Sequence, residues 1–335
     1  MRNNYLIVGM GSIGARHLEC LRKIDTTANI IVWRQFHKDS KTPDGADHVV
    51  FDLESALAFS PTCAILANPA PKHVPTALLL AKAGVHLLVE KPLSSTMDQV
   101  NELISTCDKN DVVLMVAYVL RFHPSLKVFR EFVKNGKVGR ILSFRAEVGQ
   151  YLPDWRPGSD YRTGVSARKE LGGGALLELS HELDYIRWIF GEVRSVSSLM
   201  INSGVLDIDV EDLVEAIIEI DCPGGESIMG SVHLDMLQRP TCRTCRVVGE
   251  TGVLEWDALE NTVRHFDSIT KQWETIFHAQ ATDRNALFVE QIESFLDAVR
   301  LKKKPLVGGC DGKAVLQIVQ AIRQSSEQNT KVVLP

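Results

Sequence analysis

From Tyr5 to Met115 short apolar runs alternate with longer stretches whose apolar residues recur at helical spacing. The runs cover 5–8, 30–33, 63–67, 86–89 and 112–116, and the amphipathic stretches between them cover 13–24, 53–59, 74–83 and 97–109. This rhythm predicts βα units on a parallel, doubly wound sheet, an α/β domain over 1–120. After Arg121 the pattern changes. A helix is predicted over 124–135 and a strand over 141–147, followed by a polar, aromatic-rich loop over 150–169 and a helix over 174–190. Strand-like runs then follow one another at 196–200, 214–220, 227–234, 243–248 and 253–256, and two helices close the chain at 286–300 and 313–325. Strands without intervening helices predict a large, mostly antiparallel open sheet, so 121–335 reads as an α+β domain joined through a tight junction near residue 120.

The length of 335 residues, at roughly 150 per domain, agrees with two domains. Charge changes the picture more. With 37 Lys and Arg against 42 Asp and Glu, the net charge of −5 leaves no cationic surplus for nucleic acid. The leading apolar run breaks at Gly9, and no later run approaches the roughly 20 residues that span a bilayer. Seven scattered cysteines, an odd number, together with these features predict a soluble, cytoplasmic protein. Cys242 and Cys245 have the spacing of half a metal site, but no second pair lies near them in sequence, and no metal site is expected.

Three segments carry candidate chemistry. Gly9-Met10-Gly11-Ser12-Ile13-Gly14 follows the first strand and opens the first helix, the arrangement that presents a helix N-terminus to a dinucleotide pyrophosphate. About 20 residues further on, where a carboxylate would hold the adenosine ribose, stands Arg34. A guanidinium there favours NADP over NAD, the alternative being a surface charge with the ribose held elsewhere. Glu90-Lys91-Pro92 ends a buried strand, which puts Lys91 at the carboxyl edge where ligands of open α/β sheets lie, suited to bind nicotinamide ribose hydroxyls and polarise a substrate oxygen. The third segment, Gly172-Gly173-Gly174 leading through Glu178 to His181 and Asp184, reads as a helix with a histidine between carboxylates at three-residue spacing, suited to proton transfer near neutrality. The loop with Tyr151, Trp155, Arg156, Tyr161 and Arg162 offers aromatic faces and guanidinium groups to a polyhydroxylated ring or an anion, or serves as a stiff surface loop; Arg239 and Arg243 are further candidates.

The glycine turn, Asn68-Pro69 with His73, Glu90-Lys91-Pro92, Arg121-Phe122-His123-Pro124, the triple glycine with His181 and Asp184, and Gly308-Gly309-Cys310-Asp311-Gly312 together resemble the glucose-fructose oxidoreductase, inositol dehydrogenase and rhizopine-catabolism (Gfo/Idh/MocA) family. The resemblance implies an N-terminal Rossmann domain, a C-terminal domain whose open sheet carries a homodimer or homotetramer interface, and NAD- or NADP-dependent hydride transfer on a sugar, sugar acid, nucleotide sugar or cyclitol. It implies cofactor contacts from Gly9, Gly11, Ser12, Ile13, Gly14, Arg34, Asn68, His73, Glu90 and Lys91, catalysis by Lys91, His181 and Glu178, and substrate contacts from Tyr118, Arg121, Trp155, Arg156, Tyr161 and Asp184. Two positions depart from the family pattern: Glu178 stands three residues before the histidine where relatives have Asp four before, and Val119 stands where many have Asn. A sugar-sensing regulator and a cofactor-retaining glycosidase are the alternative readings.

Overall fold

The computed structural model describes residues 2–34, 41–221, 227–280 and 283–335. In chain order its first elements are β1 (Asn4–Val8), α1 (Ser12–Ile24), β2 (Asn29–Trp33), β3 (His48–Val50), α2 (Leu53–Leu57), β4 (Cys63–Leu66), α3 (His73–Lys82), β5 (His86–Val89), α4 (Val100–Lys109) and β6 (Leu114–Val116). Then come α5 (Pro124–Lys134), β7 (Ile141–Gly149), α6 (Ala175–Glu178), α7 (His181–Phe190), β8 (Val193–Ile201), β9 (Leu213–Asp221), β10 (Ser227–Asp235), β11 (Cys242–Gly249), β12 (Gly252–Asp257), β13 (Thr262–Asp267) and β14 (Gln272–His278). The chain closes with α8 (Arg284–Arg300), α9 (Gly309–Gln328) and β15 (Val332–Val333).

Two compact units result, 1–119 with 283–316 and 120–282 with 317–335. The sequence pattern assigns 121–335 to one domain, whereas the structure groups 283–316 with the first unit. The reason is local: α8 packs on α1 and β5. The start of α9 also lies against β6, where a Cβ on Gly312 would come 2.8 Å from the Val116 side chain.

The first unit holds six strands, all parallel, in the order β3-β2-β1-β4-β5-β6. Chain direction around the sheet reverses between β1 and β4, which opens a crevice at the carboxyl ends of the strands, the site of ligands in this topology. Helices cover both faces, so the strands are apolar at almost every position: Leu6, Ile7, Val8, Leu87, Leu88 and Val89 are all fully buried.

The second unit holds nine strands in the order β14-β13-β12-β11-β7-β10-β9-β8-β15, antiparallel except for the β7–β10 pair. Along β9 and β10 burial alternates residue by residue. The buried face lies under α5, α6 and α7, and the other face is open, with Leu199, Ile217 and Met229 exposed. The single helix expected over 174–190 is two, because the chain breaks helical geometry at Leu179 (φ −102°, ψ 22°) before α7 begins.

Candidate functional site

The glycine turn separates into structural and free positions. Gly9 adopts φ +90°, and a Cβ there would come within 2.8 Å of the Ala67 carbonyl oxygen and the Asn68 nitrogen. On Gly14 a Cβ would stand 2.2 Å from the Gly9 oxygen, so this glycine lets α1 close onto the turn. Gly11 differs: nothing in the protein lies within 4 Å of its Cβ position. It is the N-cap of α1, where no side chain caps the helix and no acidic residue occupies the first turn. Gly11 and Ser12 are exposed. An uncapped helix head with its positive dipole end and a cleared approach fits the pyrophosphate of a dinucleotide. Arg34, just past β2, is half-buried and donates its backbone N–H to the Val50 carbonyl at 3.0 Å; residues 35–40, including Gln35 and Lys38, lie outside the described residues.

Lys91 sits at the end of β5 in a turn held by buried partners. Before it, the buried Glu90 carboxylate accepts from His17 Nε2 at 2.6 Å and from the Lys91 backbone N–H at 3.1 Å. Burial raises the Glu90 pKa, but the contacts with His17 and the Lys91 charge and N–H outweigh it, and the carboxyl titrates below its ordinary range. His17, on α1, is completely buried. After Lys91, the Pro92 carbonyl lies 2.8 Å from His73 Nδ1, while His73 Nε2 lies 2.7 Å from the Asn68 carbonyl. The resemblance implies a cofactor contact for His73, but the ring is buried and both nitrogens face backbone carbonyls, so His73 ties the turns after β4 and β5 together. Burial pushes its pKa down, partly opposed by those two carbonyls. The Asn68 amide donates to Thr76 Oγ1 at 3.2 Å. His17 belongs to no sequence motif; its signal is a histidine on the same helical stripe as Gly14, Leu18 and Leu21.

In the second unit, His181 opens α7 and is partly exposed, while Glu178 ends α6 and is likewise partly exposed. Glu182, directly after His181, is fully buried and pairs with Arg243 of β11 at 2.9 Å. Asp184 does not face outward. Its two oxygens take the Arg121 guanidinium bidentately at 2.9 and 2.7 Å, with both side chains almost fully buried. The two residues expected to touch substrate therefore hold each other. The triple glycine is likewise filled by protein: a Cβ on Gly173 would come 2.4 Å from the Val165 oxygen, and one on Gly174 would come 2.3 Å from the Glu211 carboxylate. Close packing, not the approach of a ligand, accounts for these two glycines.

The loop over 150–169 contains three short 3-10 turns, and a fourth follows at Lys169–Leu171. The Trp155 indole donates to the Gln150 carbonyl at 3.0 Å, and the Tyr161 hydroxyl accepts from Asp207 N–H at 3.3 Å. Arg162 is held by Asp160, Arg239 lies 3.3 Å over the Tyr151 ring, and Arg156 is exposed. Tyr118, in the first unit, is fully buried. Cys242 and Cys245 point to opposite faces of β11, and the described residues contain no group of three metal-ligating side chains. No helix among them is long and apolar enough to cross a membrane.

Residues 3–118 match the model of an oxidoreductase family with an NAD-binding Rossmann fold, and residues 126–255 match that of the GFO/IDH/MocA C-terminal domain. The myo-inositol 2-dehydrogenase of Thermotoga maritima is 26% identical, covering 98% of this chain and 97% of that protein. The levoglucosan dehydrogenase of Pseudarthrobacter phenanthrenivorans is 31% identical over a segment covering 40% of this chain but only 34% of that protein. A solved levoglucosan dehydrogenase in complex with NADH and L-sorbose has the same fold, with a TM-score of 0.85 over 100% of both chains at 20% identity. The parallel sheet with its open glycine turn, the second sheet and the two family matches converge: the chain belongs to the Gfo/Idh/MocA family of oxidoreductases with an NAD-binding Rossmann fold.

Proposed function

We propose that the protein oxidises or reduces a CH–OH carbon of a sugar, sugar acid, nucleotide sugar or cyclitol with NAD or NADP, and that it works in the cytoplasm as a homodimer or homotetramer joined through the open sheet face. The observation that carries the reading is Gly11, a glycine that no protein atom requires, at an uncapped helix head beside the switch point of the sheet. When bound there, the nicotinamide supplies the hydride acceptor or donor. Gly11, Ser12 and Ile13 hold the pyrophosphate, Lys91 binds the nicotinamide ribose and the reacting oxygen, and His181 takes or returns the hydroxyl proton, with Glu178 tuning it. Arg34 tips the balance modestly toward the 2′-phosphate of NADP. The sugar and cyclitol names among the relatives support the substrate class.

The test is a panel of myo-inositol, levoglucosan, D-xylose, uronates and nucleotide sugars with NAD and NADP in parallel, followed at the nicotinamide absorbance. A panel member is expected to be turned over, and His181→Ala is expected to lose at least about a hundredfold in kcat while still binding dinucleotide. Unchanged turnover removes the role given to His181. Arg34→Ala is expected to weaken NADP more than NAD, and equal effects refute the phosphate preference. Dinucleotide binding with no net turnover of any panel member points to the sensor or the cofactor-retaining glycosidase.

A further inference from the structure

We infer that His17 and His73 form a two-point clamp that positions Lys91. Lys91 has a buried histidine contact on each side in sequence: Glu90 is held by His17 of α1, and the Pro92 carbonyl is held by His73 of α3. Both rings are almost completely buried, so neither is available to a soluble molecule. Glu90 uses one oxygen on His17 and the other on the Lys91 backbone N–H, so the imidazole reaches the lysine backbone through a single carboxylate. With an ionised Glu90, a neutral His17 must carry its proton on Nε2 to donate. His73 lies between the Pro92 and Asn68 carbonyls, donating the one N–H of its neutral ring to one of them and packing against the other, which keeps the ends of β5 and β4 together. The clamp also links the lysine to α1, the helix whose head carries Gly11.

Neither histidine is a catalytic residue here; both act through the turn. Freed from the clamp, the Lys91 ammonium samples positions away from its working one, and misplacement of about 1 Å costs on the order of a hundredfold in a positioned reaction. The inference that this matters for turnover rests on the role proposed for Lys91, whereas the clamp itself does not.

The deciding measurement needs no substrate. Cofactor-free protein is treated with limiting formaldehyde and cyanoborohydride, and the dimethylation rate of Lys91 is read by peptide mass spectrometry against the exposed Lys82 and Lys109. His17→Leu, which removes the donor, is expected to raise the Lys91 rate at least about threefold with the reference lysines unchanged. His17→Gln, whose Nε2 can donate from a similar place, is expected to recover most of the wild-type rate. If the leucine variant does not fold, Glu90→Gln replaces it, with the same rise expected. In turnover, His17→Leu is expected to lose about tenfold in kcat with the dinucleotide Kd changed less than about threefold. Wild-type Lys91 reactivity in the leucine or Glu90 variant, or parallel losses of dinucleotide affinity and kcat, overturns the clamp. Full turnover by Lys91→Ala instead overturns the proposed role of the lysine, and leaves the labelling result to decide the clamp.

Discussion

Residue by residue, the glycine turn separates folding from function. Gly14→Ala forces a Cβ against the Gly9 carbonyl and is expected to destabilise the protein by about 1–3 kcal/mol in urea unfolding. Gly11→Ala meets nothing, and its φ of −72° suits alanine. It is expected to cost no more than about 1 kcal/mol of stability, the difference between glycine and alanine at an N-cap, while weakening dinucleotide binding, read by titration calorimetry, at least about tenfold, or ~1.4 kcal/mol. Equal stability losses in the two variants refute this division. The motif was legible in the sequence because its chemistry is local to six residues. The partners of the site were not: His17 meets Glu90 across 73 positions, and Arg121 meets Asp184 across 63. Spacing along a helix suggested that Asp184 served His181, yet tertiary structure gave both of its oxygens to an arginine.

At the level of elements, α7 is secured by charge as well as by apolar contact. Arg121, from the turn before α5, and Arg243, from β11, reach its buried Asp184 and Glu182. A second polar chain runs beside them: the Trp256 indole N–H donates to Ser125 Oγ at 2.8 Å, and Ser125 Oγ lies 3.0 Å from His123 Nδ1. Asp184→Ala removes the carboxylate that takes the buried Arg121 guanidinium at two points, and is expected to cost about 3–5 kcal/mol in chemical denaturation. Replacing both partners, Arg121→Met with Asp184→Leu, is expected to recover most of that loss, and a double variant no better than the single refutes the account. The long helices and the buried strands showed in the apolar pattern because each meets one environment along its length. β13 and β14 went unread: β14 is an edge strand with its first four residues exposed, so no alternation marks it. The break between α6 and α7 was hidden because the apolar spacing continues through it.

For the molecule as a whole, two histidines of the second unit contribute to the response of stability to pH in opposite directions. Histidine ordinarily titrates near 6.5. Hydrogen bonds to Asp235 and, against the effect of burial, to Glu215 raise His233 to about 9. The unfolded chain loses this proton first, so the contribution is complete below pH 6.5 and disappears as pH rises to about 9. His123 behaves oppositely. Burial, then the Arg243 charge, lowers it to about 4, so the unfolded chain gains a proton first and stability falls as pH drops from 6.5 toward 4. His233→Gln is therefore expected to flatten the alkaline decline of thermal stability between about pH 6.5 and 9; an unchanged alkaline slope in that variant refutes the assignment.

The grouping of 283–316 with 1–119 bears on the order in which the molecule can be built. A ribosome finishes β1 through β6 long before it delivers α8, the helix that covers α1 and β5. Until then that flank of the nascent sheet stays open to water, and the N-terminal half cannot reach its mature state while the chain is still emerging. A gene cut at the junction near residue 120 would consequently encode two fragments, of which the first lacks its own cover.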